Sequence, residues 1–427
     1  YLSFTGILVR KVSRSVIFVG IIVVLTLILF KGVPSGFVPE EDNGYFLVNV
    51  MLPDASSLQR TDLACKKIEQ MLANEKSIDN FTTIAGYSFI TGVASSNVAT
   101  FFVSLKEWGE RTEKEEISFQ VIEKLNKVLT AAVPEAFVYV FGPPAIQGLG
   151  TGAGFTMMLQ DKSGNTPQEL AAQINNFMTE AKKRPEIGRI ATLFRPSVPQ
   201  VYAEVNRDKV LKQGVTIADV NTTLGSLLGA NYINDFNRFG RVYKVYLSAE
   251  GEYRNETWDL GQYFVRNDKG SMVPLNTLVT MKASNGPEFT NRFNLFRSAE
   301  LTGTPAAGYT STDAITALQE VAAQTLPQGW GYDWANMSYQ EVEAAGSGAT
   351  VFIFALLFVF LILSAQYESW SLPLSVLLGI PFAVFGGMAG LWIGRFFSES
   401  YVNNVFAQIG FVTLIGVAAK NAILIVE

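Results

Sequence analysis

Four stretches of the chain are apolar throughout and close to the roughly 20 residues a helix needs to cross a bilayer. They are residues 15–30, 348–365, 372–394 and 405–426. About 300 residues without such a stretch separate the first from the second. There the apolar positions follow a shorter rhythm. Leu58, Cys65, Ile68 and Leu72 share one helical face, as do Ile117, Val121, Leu125 and Val128. Leu170, Ile174, Phe177 and Ala181 form a third face, and Ile315, Leu318 and Ala322 a fourth. Strand-like runs flank each predicted helix: YFLVNVML and NFTTIAGYSF, TFFVSLKEW and FVYVF, GFTMMLQD and RIATLF, RSAELTG and GYDW. The order β-α-β, met four times, predicts an α+β domain of two split βαβ, or ferredoxin-like, repeats. Residues 198–287 interrupt the second repeat with strands of their own, a helix from Thr216 and YINDFNRFGRVYKVYL, which predicts a protruding hairpin. An insertion of that length is usually an interaction module.

Arg10, Lys11 and Arg14 precede the first apolar stretch, which reads as an anchor. The positive-inside rule places that end in the cytoplasm and residues 38–346 outside. The chain then runs in, out and in again, and Pro381 predicts a kink in the third span. The fourth span reaches Glu427 with no room for a cytoplasmic loop, so the expectation is a fragment of a longer chain.

Composition agrees with membrane helices carrying a large soluble part: 48% of residues are hydrophobic and 17% charged. A net charge of −5 without a basic stripe argues against nucleic-acid binding. Histidine is absent, which excludes Ser-His-Asp and Cys-His catalysis and His-ligated zinc. No nucleophile–base constellation or cofactor motif is present, so neither an enzyme nor a cofactor or metal site is expected. The single cysteine, Cys65, reads as a small core residue. The acidic PEEDNG near Glu40 reads as a solvated connector.

Lys420 interrupts the last apolar stretch, at a cost of about 2.5–3.5 kcal/mol on insertion scales. Fifteen residues beyond Val405, it lies roughly 22 Å into a core about 30 Å thick, near enough to the cytoplasmic side to snorkel. Thr413 and Gly416 share its face, and Ala418, Ala419 and Asn421 permit close helix packing, so an interior role is equally open. AGYSFITG sets Tyr87 and Phe89 on a glycine-bounded connection, either a mobile aromatic loop or two core aromatics at a strand end.

GFVPEEDNGYF, YDWANMSYQE, ESWSLPLSVLLGIPFAVFG and GVAAKNAILIVE recur in an order that resembles the resistance–nodulation–division (RND) efflux pumps. Within them the likeness is to the hydrophobe/amphiphile-exporting branch, the AcrB and MexB type, and it covers the whole chain. The resemblance implies the second half of a twelve-helix protein, from the seventh helix into the tenth. It implies helix region 1–37, porter subdomains 38–150 and 151–198 with 288–346, a docking subdomain 199–287, and three helices in 347–427. It implies a proton-driven exporter of amphiphilic drugs, dyes or detergents in the Gram-negative inner membrane. The partners implied are two further copies in a homotrimer, a periplasmic adaptor protein and an outer-membrane channel.

The resemblance also implies roles for residues. Lys420, with Asn421 and Thr413, belongs to a proton relay whose aspartates lie outside this chain. Tyr87 and Phe89 stand in a loop that is Gly-Phe-Gly-Phe in the family; here Tyr replaces the first Phe and Ser88 the second Gly. Ile84 and Phe102 fall in an inner substrate pocket. Leu47, Asn49, Tyr139, Phe141, Arg195 and Glu300 fall in an outer pocket and its cleft. A methionine pair of the family becomes Leu47 and Asn49, a cleft glutamate becomes Gly148, and an inner-pocket phenylalanine falls on Thr82 beside Phe81. Other cargo, such as metal ions or lipids, and a non-transporting scaffold on the same fold are the alternatives. An aromatic loop and the lack of histidine argue against metal.

Overall fold

The first apolar stretch forms helix α1 (Val12–Gly32), whose side chains point mostly outward, as an all-round apolar helix in lipid requires. The computed structural model describes residues 12–345, 348–398 and 400–426. Arg10 and Lys11, on which the orientation argument leans, lie outside the described residues; Arg14 lies within them.

β1 (Tyr45–Met51) follows, then α2 (Leu58–Ala73), β2 (Ile78–Ser88), β3 (Val93–Leu105), α3 (Ser118–Ala132) and β4 (Phe137–Phe141). Ser57 caps α2, accepting from the amide of Arg60. The strands form one antiparallel sheet in the order β2-β3-β1-β4. Both helices cover one face of it, burying Ile68, Leu72, Val121, Leu125 and Leu129 on Phe46, Val48, Val50 and Phe101. The anticipated helix faces are shifted at their ends. Leu58, Ile117 and Val128 are exposed, because Leu58 and Ile117 sit where their helices begin and Leu129 takes the inward place near the end of α3. Cys65 is buried in this core, and burial together with the charges of Glu69 and Asp62 pushes its thiol up to about 12. A thiol held protonated in this way is chemically quiet.

The chain continues through β5 (Phe155–Asp161), α4 (Pro167–Ala181) and β6 (Ile187–Ala191), then enters a separate compact unit, Ser197–Glu288. That unit comprises β7 (Val198–Val205), α5 (Arg207–Lys212), α6 (Ile217–Leu228), the hairpin β8 (Asn231–Arg238) and β9 (Arg241–Leu247), the short pair β10 (Phe264–Arg266) and β11 (Met272–Pro274), and β12 (Val279–Gly286), which pairs with β7. Its core is small: Val210, Val215, Val220, Leu260, Leu275 and Leu278 are buried. Every residue of the β8–β9 hairpin is exposed. Its turn places Phe239 and Gly240 at positive φ, which suits the twist of a two-residue hairpin loop.

The chain returns through β13 (Asn291–Phe293), β14 (Phe296–Pro305), α7 (Ser311–Thr325), β15 (Trp330–Trp334) and α8 (Asn336–Ala345). β14 pairs with β5 and β6, and β5 with β15, giving the order β6-β14-β5-β15 with β13 on β14. α4 and α7 cover one face of this sheet, with Leu170, Ile174, Phe177 and Ala181 buried on Phe155, Met157 and Leu159.

Five apolar helices among the described residues complete the membrane part: α1, α9 (Gly348–Gln366), the pair α10 (Leu372–Leu377) and α11 (Ile380–Gly394) that makes one span, and α12 (Val405–Val426). Among the described residues, three spans are long and apolar enough to cross a membrane: Ser13–Gly32, Leu372–Gly394 and Val405–Leu424. The expected second span forms α9, several of whose first side chains lie outside the described residues; its described apolar run is Leu356–Gln366. The anticipated kink is a break at Leu378–Gly379, just before Pro381 in the first turn of α11. Val33, just past the end of α1, is buried with Met388 of α11 and Phe411 of α12, and Leu29 of α1 packs against them. Gly387 permits this approach, since a Cβ there would lie 2.5 Å from the Phe411 ring.

Candidate functional site

Alternation along a strand puts every second residue on the opposite face. On β1 the even positions Phe46, Val48 and Val50 enter the helix-covered core, so Tyr45, Leu47 and Asn49 face the other way. On that second face Leu47, Tyr139 and Phe141 are buried, with Tyr45, Phe89, Ile90 and Phe102 packed against them. Phe89 meets Phe102 edge-on at 5.4 Å, and Tyr139 stacks on Phe141 at 5.0 Å. Phe89 reaches the cluster from the β2–β3 turn, where Gly86 (φ 86°) and Gly92 (φ 69°) take a backbone that L-residues rarely adopt. The turn is pinned by Thr100, whose hydroxyl donates to the Tyr87 carbonyl (3.0 Å) and accepts from the Phe89 amide (3.0 Å).

Five of the expected substrate residues thus come together: Leu47, Phe89, Phe102, Tyr139 and Phe141. Asn49 adjoins them, 1% exposed, its Oδ1 accepting from Ser88 Oγ at 3.3 Å. Ile84 is exposed and Tyr87 half-buried, both outside the cluster. Phe81 packs on the helix-side core, so it does not take the place that falls on the exposed Thr82.

Arg195 and Glu300 sit elsewhere. Arg195 Nη1 pairs with Asp54 Oδ1 at 2.5 Å. Glu300 lines a cleft of about 100 Å³ with Ile90, Thr91, Phe194 and Asn291, and burial raises its carboxyl above the usual range. Ile90 and Thr91 belong to the same turn as Phe89, so one loop borders both the aromatic cluster and the Glu300 cleft.

A second cavity, about 210 Å³, lies beside Tyr139 and Phe141 and is lined by Phe119, Ile122, Asn126 and Arg189. Arg189 stands 4.2 Å over the Tyr139 ring and donates to Asn126 Oδ1 at 2.9 Å. Asn126 in turn accepts from the Val140 amide (3.0 Å) and donates to the Val140 carbonyl (2.7 Å), gripping the outer edge of β4. A third cavity, about 290 Å³, is lined by Phe37, Glu40, Tyr309, Glu341 and Arg395. Burial raises the Glu341 carboxyl, which accepts from Ser311 Oγ at 2.9 Å and Thr312 Oγ1 at 2.5 Å.

Sequence reading missed Arg189 and Asn126, whose roles come from neighbours far along the chain. It also misread part of PEEDNG. Asp42 is no solvated connector residue: it pairs with Arg111 at 2.7 Å, where the arginine side chain is 2% exposed. Burial alone would raise the Asp42 carboxyl, but hydrogen bonds from Arg111 and the amides of Ser118 and Gly44 outweigh it and hold it below the usual range.

In the membrane part, Lys420 and Thr413 lie on the exposed side of α12, and Thr413 donates to the Ile409 carbonyl at 3.2 Å. Lys420 has no salt bridge among the described residues. The Asn421 side chain lies outside the described residues. Among the described residues no group of three or more His, Cys, Asp or Glu is placed to hold a metal ion.

A family model described as AcrB/AcrD/AcrF family matches residues 1–427. The chain is 35% identical over 430 residues to the multidrug export protein AcrF of Escherichia coli (strain K12), covering 100% of this chain and 41% of that protein. It is 34% identical over 428 residues to the multidrug/solvent efflux pump membrane transporter MepB of Pseudomonas putida, covering 99% of this chain and 39% of the relative. The toluene efflux pump membrane transporter TtgB of Pseudomonas putida is 34% identical over the same share of each chain. The chain therefore spans about 40% of the length of the curated relatives it matches.

Proposed function

The chain belongs to the AcrB/AcrD/AcrF family of RND efflux transporters, and we propose that it is the second half of a proton-driven exporter of amphiphilic drugs, dyes and detergents. The observation that carries this reading is the aromatic cluster of Leu47, Phe89, Phe102, Tyr139 and Phe141 on the sheet face turned away from the helices. Aromatic surface with few hydrogen-bonding demands binds amphiphiles through burial and discriminates weakly among them.

We read residues 38–150, and 151–198 with 288–346, as two ferredoxin-like porter subdomains on the outer side of the Gram-negative inner membrane. Their strand orders, β2-β3-β1-β4 and β6-β14-β5-β15, support that reading. The unit Ser197–Glu288 is proposed as the docking module, meeting other copies of a homotrimer, a periplasmic adaptor or an outer-membrane channel. Its small core and wholly exposed hairpin, with Tyr232, Phe236, Phe239 and Tyr246 outward, favour protein contact over drug binding.

Lys420, with Thr413 and Asn421, is proposed as the cationic member of a proton relay whose acids come from the rest of the protein. A cation beside buried carboxylates stabilises their charged forms and sets when they take up a proton. In the full-length protein, Lys420→Ala should abolish dye efflux at normal membrane abundance. Near-normal efflux in that variant would leave Lys420 as an interface anchor and remove the relay.

A further inference from the structure

Asn49 and Ser88 are two positions where this chain is polar while the family it resembles has methionine and glycine. They lie 39 residues apart in sequence and touch: Ser88 Oγ donates to Asn49 Oδ1 at 3.3 Å. Ser88 is 2% and Asn49 1% exposed. The Ser88 hydroxyl also accepts, weakly, from the Thr91 amide at 3.4 Å, which directs its own proton toward Asn49. The contact therefore joins the floor of the aromatic face, β1, to the turn that carries Phe89 and Ile90 over it.

The other end of the Asn49 side chain is unsatisfied. Nδ2 is buried and has no acceptor within reach. A buried donor left unpaired costs about 1–3 kcal/mol, more than a neutral hydrogen bond such as Ser88–Asn49 returns. Leu47 and Met51 flank it on β1 and Tyr139 is its cross-strand partner on β4; the hydroxyl of its other cross-strand partner, Thr100 on β3, is already engaged by the Phe89 amide and the Tyr87 carbonyl. With the turn in this position the amide has nowhere to donate. A molecule that displaced Ser88 and Phe89 and brought an acceptor to that point would gain a bond the protein itself cannot supply.

We propose that Asn49 is a specificity-determining hydrogen-bond donor beneath the Phe89 turn, that Ser88 latches the turn shut over it, and that the site therefore favours apolar molecules carrying a carbonyl or carboxylate acceptor. This rests on the reading of the aromatic face as a substrate site. It narrows that reading from amphiphiles in general to a class defined by one acceptor on an aromatic or otherwise rigid body. A site built to donate to its ligand discriminates against analogues lacking the acceptor more sharply than an apolar wall can.

The test uses the full-length transporter at matched membrane abundance, with two probes: chloramphenicol, which carries an amide carbonyl, and ethidium, an aromatic cation without one. Asn49→Met should raise the KM for chloramphenicol roughly ten-fold, the loss of one hydrogen bond, and leave that for ethidium within about two-fold. Asn49→Ser, which keeps a donor, should recover part of the loss. Ser88→Ala should change kcat for both probes, by loosening the turn, and should have no further effect once Asn49 is Met. Equal changes in KM for the two probes in Asn49→Met, an unchanged KM for chloramphenicol, or additive effects of the two substitutions on kcat would each overturn the proposal. If the unaltered protein moves neither probe, the exporter reading itself fails, a result separate from any of these.

Discussion

The two sheets of the larger unit share a strand order and carry helices on one face each, yet their other faces differ in chemistry. The first presents Leu47, Phe102, Tyr139 and Phe141. The second, at the alternating positions of β5 and β14, presents Gln160, Ser298, Glu300 and Thr302 around Met158. The helix-covered faces are apolar in both, Phe and Val on the strands of the first and Phe, Met, Leu and Ile on those of the second. The comparison shows where such a scaffold is free to vary. The helix-covered face must be apolar to hold the fold, while the face turned away from the helices, though largely buried, can be aromatic or polar according to what it meets.

The sharpest way to break that comparison is to truncate neighbours on one strand that face opposite ways. Phe101→Ala, on the covered face, should lower unfolding stability by about 3–5 kcal/mol. Phe102→Ala, half-buried on the face away from the helices, should cost far less and instead weaken amphiphile binding. Thermal unfolding in detergent and dye-binding fluorescence, read together, check both halves. Comparable unfolding penalties would mean that the aromatic face is simply a second core.

A second perturbation acts at the end of the first sheet. Asp42→Ala strands Arg111 in a buried place and should cost about 3 kcal/mol, the low end for a broken buried pair because Asp42 is partly exposed. The Asp42 carboxyl lies below its usual range in the fold, so its contribution is present at neutral pH and is lost as pH falls through that depressed value. The variant should show a flatter loss of melting temperature on acidification than the parent.

The smallest effect belongs to the polar face. Glu300 is raised by burial, so its contribution runs the other way: full below the ordinary carboxylate range and lost as pH rises through the raised value. Glu300→Gln should remove that slope and raise the melting temperature slightly at pH 8, leaving it unchanged near pH 4. A melting temperature that tracks the parent at every pH would show that Glu300 titrates normally.

How much of this can be read from residue order depends on the range of the interaction. The face Leu170, Ile174, Phe177 and Ala181 is legible because helical spacing and burial are both local, and all four are buried. In β1 the run is apolar on both faces, so alternation does not say whether Leu47 or Val48 enters the helix-covered core. That choice is made by α2 and α3 packing from elsewhere. The same holds for the site: aromatic residues at Phe89 and Phe102 can be named, but their edge-on contact depends on Thr100 pinning the turn. Asp42 and Arg111, 69 residues apart, carry no mark in the sequence that pairs them. Spacing alone puts Leu58, Ile117 and Val128 on buried faces, yet they are exposed, since the first and last turns of a helix often overhang what the middle covers.

The grip of Asn126 on Val140 has a consequence for assembly. β4 is the border strand of its sheet and, among the described strands, pairs with β1 alone. An unguarded border strand is a template, ready to recruit any extended segment that passes. Here a side-chain amide occupies the N–H and C=O of Val140 as a neighbouring peptide would, so an incoming strand finds that rung of the ladder already taken. A border strand with a rung occupied in this way is a poorer template for pairing with another strand, whether of the neighbouring sheet or of a second copy.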